Sequence, residues 1–211
     1  LDREGFSLGR QATSVSAFED DDEIRAVYYP EMAALLRRVT GAREAVVFDH
    51  NVRIDGAKSG QNSRMPVRAV HNDYTERSGP QRVREVMGDV RAKSLLKRRF
   101  AIINVWRSIA GPVQASPLGL VDAGSVRPSN LIPTDLVYPD RVGEIYEVSG
   151  NAAHRWYYYP LMREDEVLFI KGYDSRRDVA RFTPHTAFDD PGSSVDAPPR
   201  QSVEIRALVF Y

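Results

Sequence analysis

Cysteine is absent from the 211-residue sequence, which excludes disulfide bonds, thiolate metal sites and catalysis by a cysteine nucleophile. Any metal site must therefore use histidine, aspartate or glutamate. The sequence also has no excess of either charge, because 29 basic residues balance 29 acidic residues. This balance removes the electrostatic argument for a nucleic-acid or anionic-membrane partner. We therefore expect no nucleic acid and no membrane as partner, and a small molecule as the ligand.

Long apolar runs are missing too, and nothing near Leu1 reads as a secretory signal, so a cytoplasmic protein is expected. Because residue 1 is leucine, we also expect further residues upstream. The length fits one domain spanning residues 1–211, with a helical part at about 17–40 and a jelly-roll core at about 44–211. The oligomeric state is left open, with a homodimer as one candidate.

Two amphipathic helices are predicted from apolar residues that recur every three or four positions. The first spans Ala17 to Val39, with a kink at Pro30, a stop at Gly41 and an acidic run at 19–22 that suits a helix N-terminus; a solvated loop is the alternative for these acids. The second follows Ser78-Gly79-Pro80 and ends near Lys97. One face of it carries Val83, Val86, Met87 and Val90.

Most of the remaining chain reads as short strands separated by Gly, Pro, Asp and Ser clusters. This pattern predicts a mainly β protein with flanking helices, built as a cupin-like double-sheet jelly roll. Loops are predicted at 54–66, near the mouth of the expected ligand site, and at 189–199. The predicted strands are 45–48, 67–74, 100–106, 143–148, 155–159, 166–171, 180–188 and 202–211, with weaker runs near Leu120 and Leu136.

The tripeptide His71-Asn72-Asp73 is the most informative local pattern in the chain. Side chains at positions i and i+2 of a strand lie on one face, so His71 and Asp73 can bind one metal ion. With a distant histidine they form the two-nitrogen, one-oxygen set of non-haem Fe(II) oxygenases. A pair of surface or hydrogen-bonded residues is the alternative interpretation.

Three further histidines are candidates for the third ligand. We favour His185, because it lies shortly before the last predicted strand, where an anion-binding face is expected. His154 stays open as a ligand or as a residue of the substrate pocket, and lies in an aromatic segment that ends Trp156-Tyr157-Tyr158-Tyr159. His50 is the weakest candidate and is expected to position substrate instead.

The last strand carries Arg200, Ser202 and Arg206 at even spacing, hence on one face, whereas Val203, Ile205, Ala207 and Val209 form an apolar face. A buried arginine beside a metal needs an anion, and a guanidinium can bind a carboxylate through two hydrogen bonds. A bound dicarboxylate would meet this need. The alternative is that Arg206 pairs with Glu204 or another acid of the barrel wall.

Two further segments contribute candidate pocket residues. Asn104 and Trp106 share one face of a predicted strand, and Arg107 takes the opposite face. We expect Trp106 to be a core residue and Asn104 to face the barrel interior near the substrate. Tyr74, just past the predicted ligands, either borders the pocket or lies in a surface turn.

Four long segments carry a resemblance to a known family. The sequences VHNDYTERSGPQRVREVMGD, RRFAIINVWRSIAGPVQASPLGLVD, GEIYEVSGNAAHRWYYYPLMREDEVLFIKGYDS and RFTPHTAFDDPGSSVDAPPRQSVEIRALVFY closely resemble the asaB hydroxylase/desaturase family. That family includes relatives of the cephamycin methoxylation component and fungal natural-product oxygenases. The likeness extends over the whole chain.

This resemblance implies a double-stranded β-helix with Fe(II), and 2-oxoglutarate and O2 as cosubstrates. His71, Asp73 and His185 match the family's metal ligands. Arg200 and Arg206 both match the basic residue that holds 2-oxoglutarate, and Arg200-Gln201-Ser202 resembles its R-x-S form. The implied reaction is hydroxylation, desaturation or cyclisation of a small molecule in secondary metabolism. A cupin-like metal enzyme without 2-oxoglutarate and a non-catalytic jelly-roll binding module, favoured by the aromatics at 156–159, remain as alternatives.

Overall fold

The computed structural model describes residues 1–54, 66–137 and 142–211, which form two antiparallel β-sheets with helices on the outside. The strands in chain order are β1 (Phe6–Arg10), β2 (Glu44–Ile54), β3 (His71–Asn72), β4 (Phe100–Ser108), β5 (Leu118–Val121), β6 (Leu131–Val137), β7 (Val142–Val148), β8 (Trp156–Tyr157), β9 (Glu166–Asp174), β10 (His185–Ala187) and β11 (Gln201–Phe210).

The strand order confirms the predicted double-sheet jelly roll. One sheet has the order β1-β9-β4-β11-β2 and the other has the order β6-β7-β3-β10-β5-β8. Strands that are distant in the chain therefore lie side by side, as in a double-stranded β-helix. The short strand β3 lies between β7 and β10, deep within the six-stranded sheet.

The N-terminal helical segment runs from Asp21 to Thr40 through α1 (Asp21–Glu23), a π-helical stretch (Ile24–Tyr28) and α2 (Tyr29–Thr40). The Asp20 side chain caps its N-terminus by accepting from two backbone N–H groups, which confirms the predicted role of the acidic run. At the other end Gly41 has a φ of 70°, the left-handed conformation that favours glycine. The π-helical stretch ends just before Pro30, so the helix continues past a residue that lacks a backbone N–H.

The predicted second helix is divided into α3 (Ser78–Met87) and α4 (Asp89–Leu95). Gly88, with a φ of 72° and a ψ of 152°, interrupts it. Because the helix axis changes there, Val83 is fully buried while Val90 is 88% exposed. The prediction of one continuous apolar face was therefore wrong beyond Met87.

Three strand predictions also needed correction. β1 was missed, although it pairs along its whole length with β9. The predicted strand 67–74 is reduced to β3, because the Asn72 side chain binds the Tyr74 carbonyl and the chain then leaves the sheet. The predicted strand 180–188 is reduced to β10, since Pro184 has no N–H to donate and the Thr183 N–H donates to Asn72 instead.

The hydrophobic core has one layer on each side of the five-stranded sheet. Its outer face, which includes Val105 and Val203, packs against the N-terminal helical segment through Met32 and Leu36. Its inner face contributes Trp106, which is buried against Leu120 of the other sheet and so confirms the prediction of a core residue. The site described below lies between the two sheets, beside this inner core.

The predicted loop at 189–199 is irregular in the structure, whereas residues 55–65 of the other predicted loop lie outside the described residues. Ile54 itself belongs to β2. Within the described ranges, no helix is long and apolar enough to cross a membrane.

We expect Leu36→Ala to lower the free energy of unfolding by about 2–5 kcal/mol, because a fully buried side chain between helix and sheet leaves a cavity when it is truncated. Val39→Ala on the exposed face of the same helix should change it by no more than about 0.5 kcal/mol. Urea unfolding followed by circular dichroism measures both, and equal losses would contradict the packing described here.

Candidate metal centre

Three side chains from two distant segments of the chain converge between the sheets. One ligand atom each from His71, Asp73 and His185 lies within 4.8 Å of the other two. His71 and His185 are cross-strand partners of β3 and β10, and their ring centroids are 4.7 Å apart. The sheet register therefore brings together two imidazoles that are more than a hundred residues apart in the sequence.

Backbone hydrogen bonds orient both imidazole rings. Nδ1 of His71 lies 2.8 Å from the carbonyl oxygen of Ala69, and Nδ1 of His185 lies 2.9 Å from that of Thr183. A carbonyl oxygen only accepts, so Nδ1 carries a proton in each ring and Nε2 is the nitrogen left to bind a metal ion. Burial lowers the pKa of His71, and the neighbouring His185 lowers it further. His71 is therefore a neutral nitrogen donor at neutral pH.

The Asp73 carboxylate offers one oxygen to the site. Its Oδ2 accepts from Asn104 Nδ2 at 2.7 Å and from Arg206 Nε at 2.9 Å, whereas Oδ1 lies 3.6 Å from His71 Nε2. Burial raises the pKa of the Asp73 carboxyl, but Arg206 and the two histidines together hold it well below its ordinary value. The group is therefore ionised at neutral pH.

A row of polar side chains on the five-stranded sheet supports this carboxylate. Asp49, Arg206 and Asn104 are register partners on β2, β11 and β4, so they share the inner face of the sheet. The guanidinium of Arg206 also donates Nη1 to Asp49 at 3.0 Å and Nη2 to Glu204 at 2.8 Å. One cation thus contacts three carboxylates.

The Asn72 amide fixes the backbone that carries the ligands. It is fully buried, donates to the carbonyl oxygens of Tyr74 and Gly172, and accepts from the N–H of Thr183. One side chain thereby joins the segment of His71 and Asp73 to the segment that leads into His185. Asn72 is a buried polar group with its donors and acceptor satisfied.

A second group of residues lies on the other side of the two histidines. Arg200 is 4% exposed, donates Nη1 to the carbonyl oxygen of Ser116 at 2.6 Å, and lies over the Trp106 ring at 5.5 Å. It lines a small cleft that His71 and His185 also line. Two residues further along the chain, in β11, Ser202 Oγ is buried and has no hydrogen-bond partner among the described residues.

A larger cavity of about 450 Å³ opens on the other side of His71 and Asp73. Its apolar wall residues, Leu136, Val142 and Ile145, come from the six-stranded sheet, which also contributes Glu144 and Glu147. Its polar wall comes from β2 and α3 and includes Asn51 and Gln81. A small molecule with an apolar body and polar substituents fits this distribution.

The remaining predicted residues lie at different distances from this centre. Tyr74 and Asn104 belong to it, the first as a buried residue of the cavity wall and the second through Asp73. His50 lines the same cavity, but its ring nitrogens contact Tyr29 and Asp21 on the helical side. His154 contacts Asn130 at 3.3 Å and is not part of the ligand group among the described residues.

The sequence analysis named Glu204 or another acid as the alternative partner of Arg206, and the structure shows this pairing. It missed two residues of the centre, Asn72 and Asp49, which gave no signal in the sequence. Their roles follow from contacts with residues about a hundred or more positions away.

Comparisons with known proteins agree with this geometry. A family model described as an oxidoreductase/YMDC permease-like domain matches residues 1–210. The Fe(II)/2-oxoglutarate-dependent dioxygenase nvfI of Aspergillus novofumigatus is 34% identical over 217 residues, which cover 100% of this chain and 77% of the relative. The hydroxylase/desaturase asaB of Aspergillus flavus is 35% identical over 144 residues, which cover 61% of this chain and 63% of the relative.

A solved structure extends the likeness to three dimensions. The iron and alpha-ketoglutarate-dependent endoperoxidase NvfI superposes with a TM-score of 0.92 and 32% sequence identity, over 99% of this chain and 79% of that one. The resemblance to the asaB family is thus confirmed, and the match favours an oxygenase over a cosubstrate-free cupin or a binding module. The chain belongs to the family of Fe(II)- and 2-oxoglutarate-dependent dioxygenases.

Proposed function

We propose that His71 Nε2, Asp73 Oδ1 and His185 Nε2 bind the Fe(II) of this dioxygenase. The observation that carries the proposal is the approach of these three ligand atoms to within 4.8 Å of one another. The donor set is the two-histidine, one-carboxylate set that leaves open positions on Fe(II).

We assign the 2-oxoglutarate subsite to Arg200 and Ser202 rather than to Arg206. Both arginines line the cleft beside the two histidines, but Arg206 contacts three carboxylates of the protein, whereas the buried Arg200 donates to the carbonyl oxygen of Ser116. Ser202 follows Arg200 by two residues, and its buried Oγ, which has no hydrogen-bond partner among the described residues, is a suitable donor to a carboxylate. A guanidinium and a hydroxyl together recognise the distal carboxylate of a dicarboxylic acid.

When bound, Fe(II) and 2-oxoglutarate supply an O2-dependent oxidation of a C–H bond, with 2-oxoglutarate converted to succinate and CO2. The role of the chain's own residues is to hold and orient the side chains that would bind the metal. The carbonyl groups of Ala69 and Thr183 fix the imidazoles, and Asn104 and Arg206 fix the carboxylate. Burial by Trp106 and Leu120 keeps water away from the inner side of the centre.

The substrate is proposed to enter the 450 Å³ cavity from the side of α3 and β7. Its apolar wall would hold a carbon skeleton, and its polar wall would orient the reacting C–H bond toward the ion. This arrangement supports hydroxylation, desaturation or cyclisation of a small molecule.

Anaerobic addition of Fe(II) and 2-oxoglutarate should produce the weak visible charge-transfer band of the chelate. We expect Asp73→Ala to abolish this band, because the carboxylate ligand is lost and Arg206 is left with fewer anions. His154→Ala should retain the band, since the His154 ring contacts Asn130 and His154 is not part of the ligand group among the described residues. Absence of the band from the native protein would contradict the proposed function.

Arg200→Gln tests the cosubstrate subsite. Loss of the buried guanidinium should weaken 2-oxoglutarate binding by about 30-fold or more, equivalent to at least ~2 kcal/mol. The measurement is the 2-oxoglutarate dependence of the chelate band at fixed Fe(II). Arg155→Gln is the matched control, because Arg155 is an exposed arginine paired with Asp122. Equal 2-oxoglutarate affinity in the Arg200 variant and the native protein would remove Arg200 from the subsite.

A further inference from the structure

Asp73 Oδ2 lies in a network of hydrogen bonds between charged side chains. This single oxygen accepts from Asn104 and from Arg206, and the guanidinium is itself held on its other two nitrogens by Asp49 and Glu204. The side chain of Arg206 is only 12% exposed. Two side chains of the five-stranded sheet therefore contact this oxygen atom directly, and two more hold the guanidinium.

A positive charge at this place does not favour metal binding as such. Arg206 repels a divalent cation and draws electron density from the carboxylate that would bind it. Arg206 therefore acts on the centre through the orientation of the Asp73 carboxylate and not through attraction of the ion.

A carboxylate can bind a metal through one oxygen or through both. The second mode occupies an additional position on the ion. With three protein ligand atoms an octahedral ion keeps three positions open, which are needed for a chelating cosubstrate and O2. A fourth protein ligand atom would compete with them.

We propose that Arg206, braced by Asp49 and Glu204, is a positioning residue that confines Asp73 to a single metal-binding oxygen, Oδ1. Asn104 assists from the neighbouring strand. The inference rests on the proposed function, because it takes His71, Asp73 and His185 as the ligands. It adds that the contacts of Arg206 with Asp73, Asp49 and Glu204, called the brace below, preserve the affinity for 2-oxoglutarate rather than the affinity for the metal.

Arg206→Gln separates these two effects. Binding of Mn(II) to the variant, measured by the loss of the free-ion electron paramagnetic resonance signal, should be as tight as in the native protein or tighter. The affinity for 2-oxoglutarate in the anaerobic Fe(II) complex should fall about tenfold or more, the range of effects seen when groups that orient metal ligands are removed. The chelate band should shift or disappear accordingly.

Two further variants keep the test decisive. Arg206→Gln combined with Glu204→Gln preserves the net charge of the cluster, so it tests the brace if the single variant folds poorly. Asn104→Leu removes the neutral donor alone and should give a smaller loss of 2-oxoglutarate affinity.

Arg99→Gln is the matched control, because it removes a largely buried arginine that pairs with Asp174 and Asp2 away from the centre. The chelate band of this variant should be that of the native protein.

Each other outcome overturns the inference. If the Arg206 variants bind Mn(II) about tenfold more weakly and 2-oxoglutarate normally, Arg206 is an ordinary support of the metal ligand. If both affinities are unchanged, the brace has no role in coordination. If the native protein itself binds neither Mn(II) nor Fe(II) with 2-oxoglutarate, the proposed function fails, and the inference fails with it.

Discussion

The Asp73 carboxylate connects the two sheets of this protein at the candidate metal centre. It lies just beyond β3 of one sheet, and both donors to its Oδ2 come from β4 and β11 of the other. Because the two donors are register partners, the position of Asp73 depends on the pairing of the five-stranded sheet. The candidate metal centre is therefore a property of the whole jelly roll rather than of a local motif.

The acids around Arg206 define the charge of this region. Glu204 is buried and Asp73 is largely buried, and both share one guanidinium with the half-exposed Asp49. One carboxylate and two imidazoles are a donor set that suits a divalent ion. Arg206 and Arg200 differ in their contacts, since Arg206 contacts acids of the protein while Arg200 donates to the carbonyl oxygen of Ser116.

Periodicity predicted the elements that bury one face and failed where the backbone leaves its regular pattern. The helix ending at Gly41 and the apolar face of β11 were predicted correctly. Gly88 divides the second helix, and the side chain of Asn72 ends β3 after two residues, because local hydrogen bonds there replace the regular ones. The strand β1 was missed because its five residues carry little hydrophobic pattern.

The sequence alone determined the fold class, the family and the short list of candidate ligands. Residue type and the spacing of residues along one element can be read without knowing which residues are in contact. It also placed Arg200, Ser202 and Arg206 on one strand face. Only the tertiary structure decided which histidine meets His71, that Arg206 contacts Asp73, Asp49 and Glu204, and that Asn72 joins two ligand segments. These facts depend on strand register across long chain separations, which no local pattern encodes.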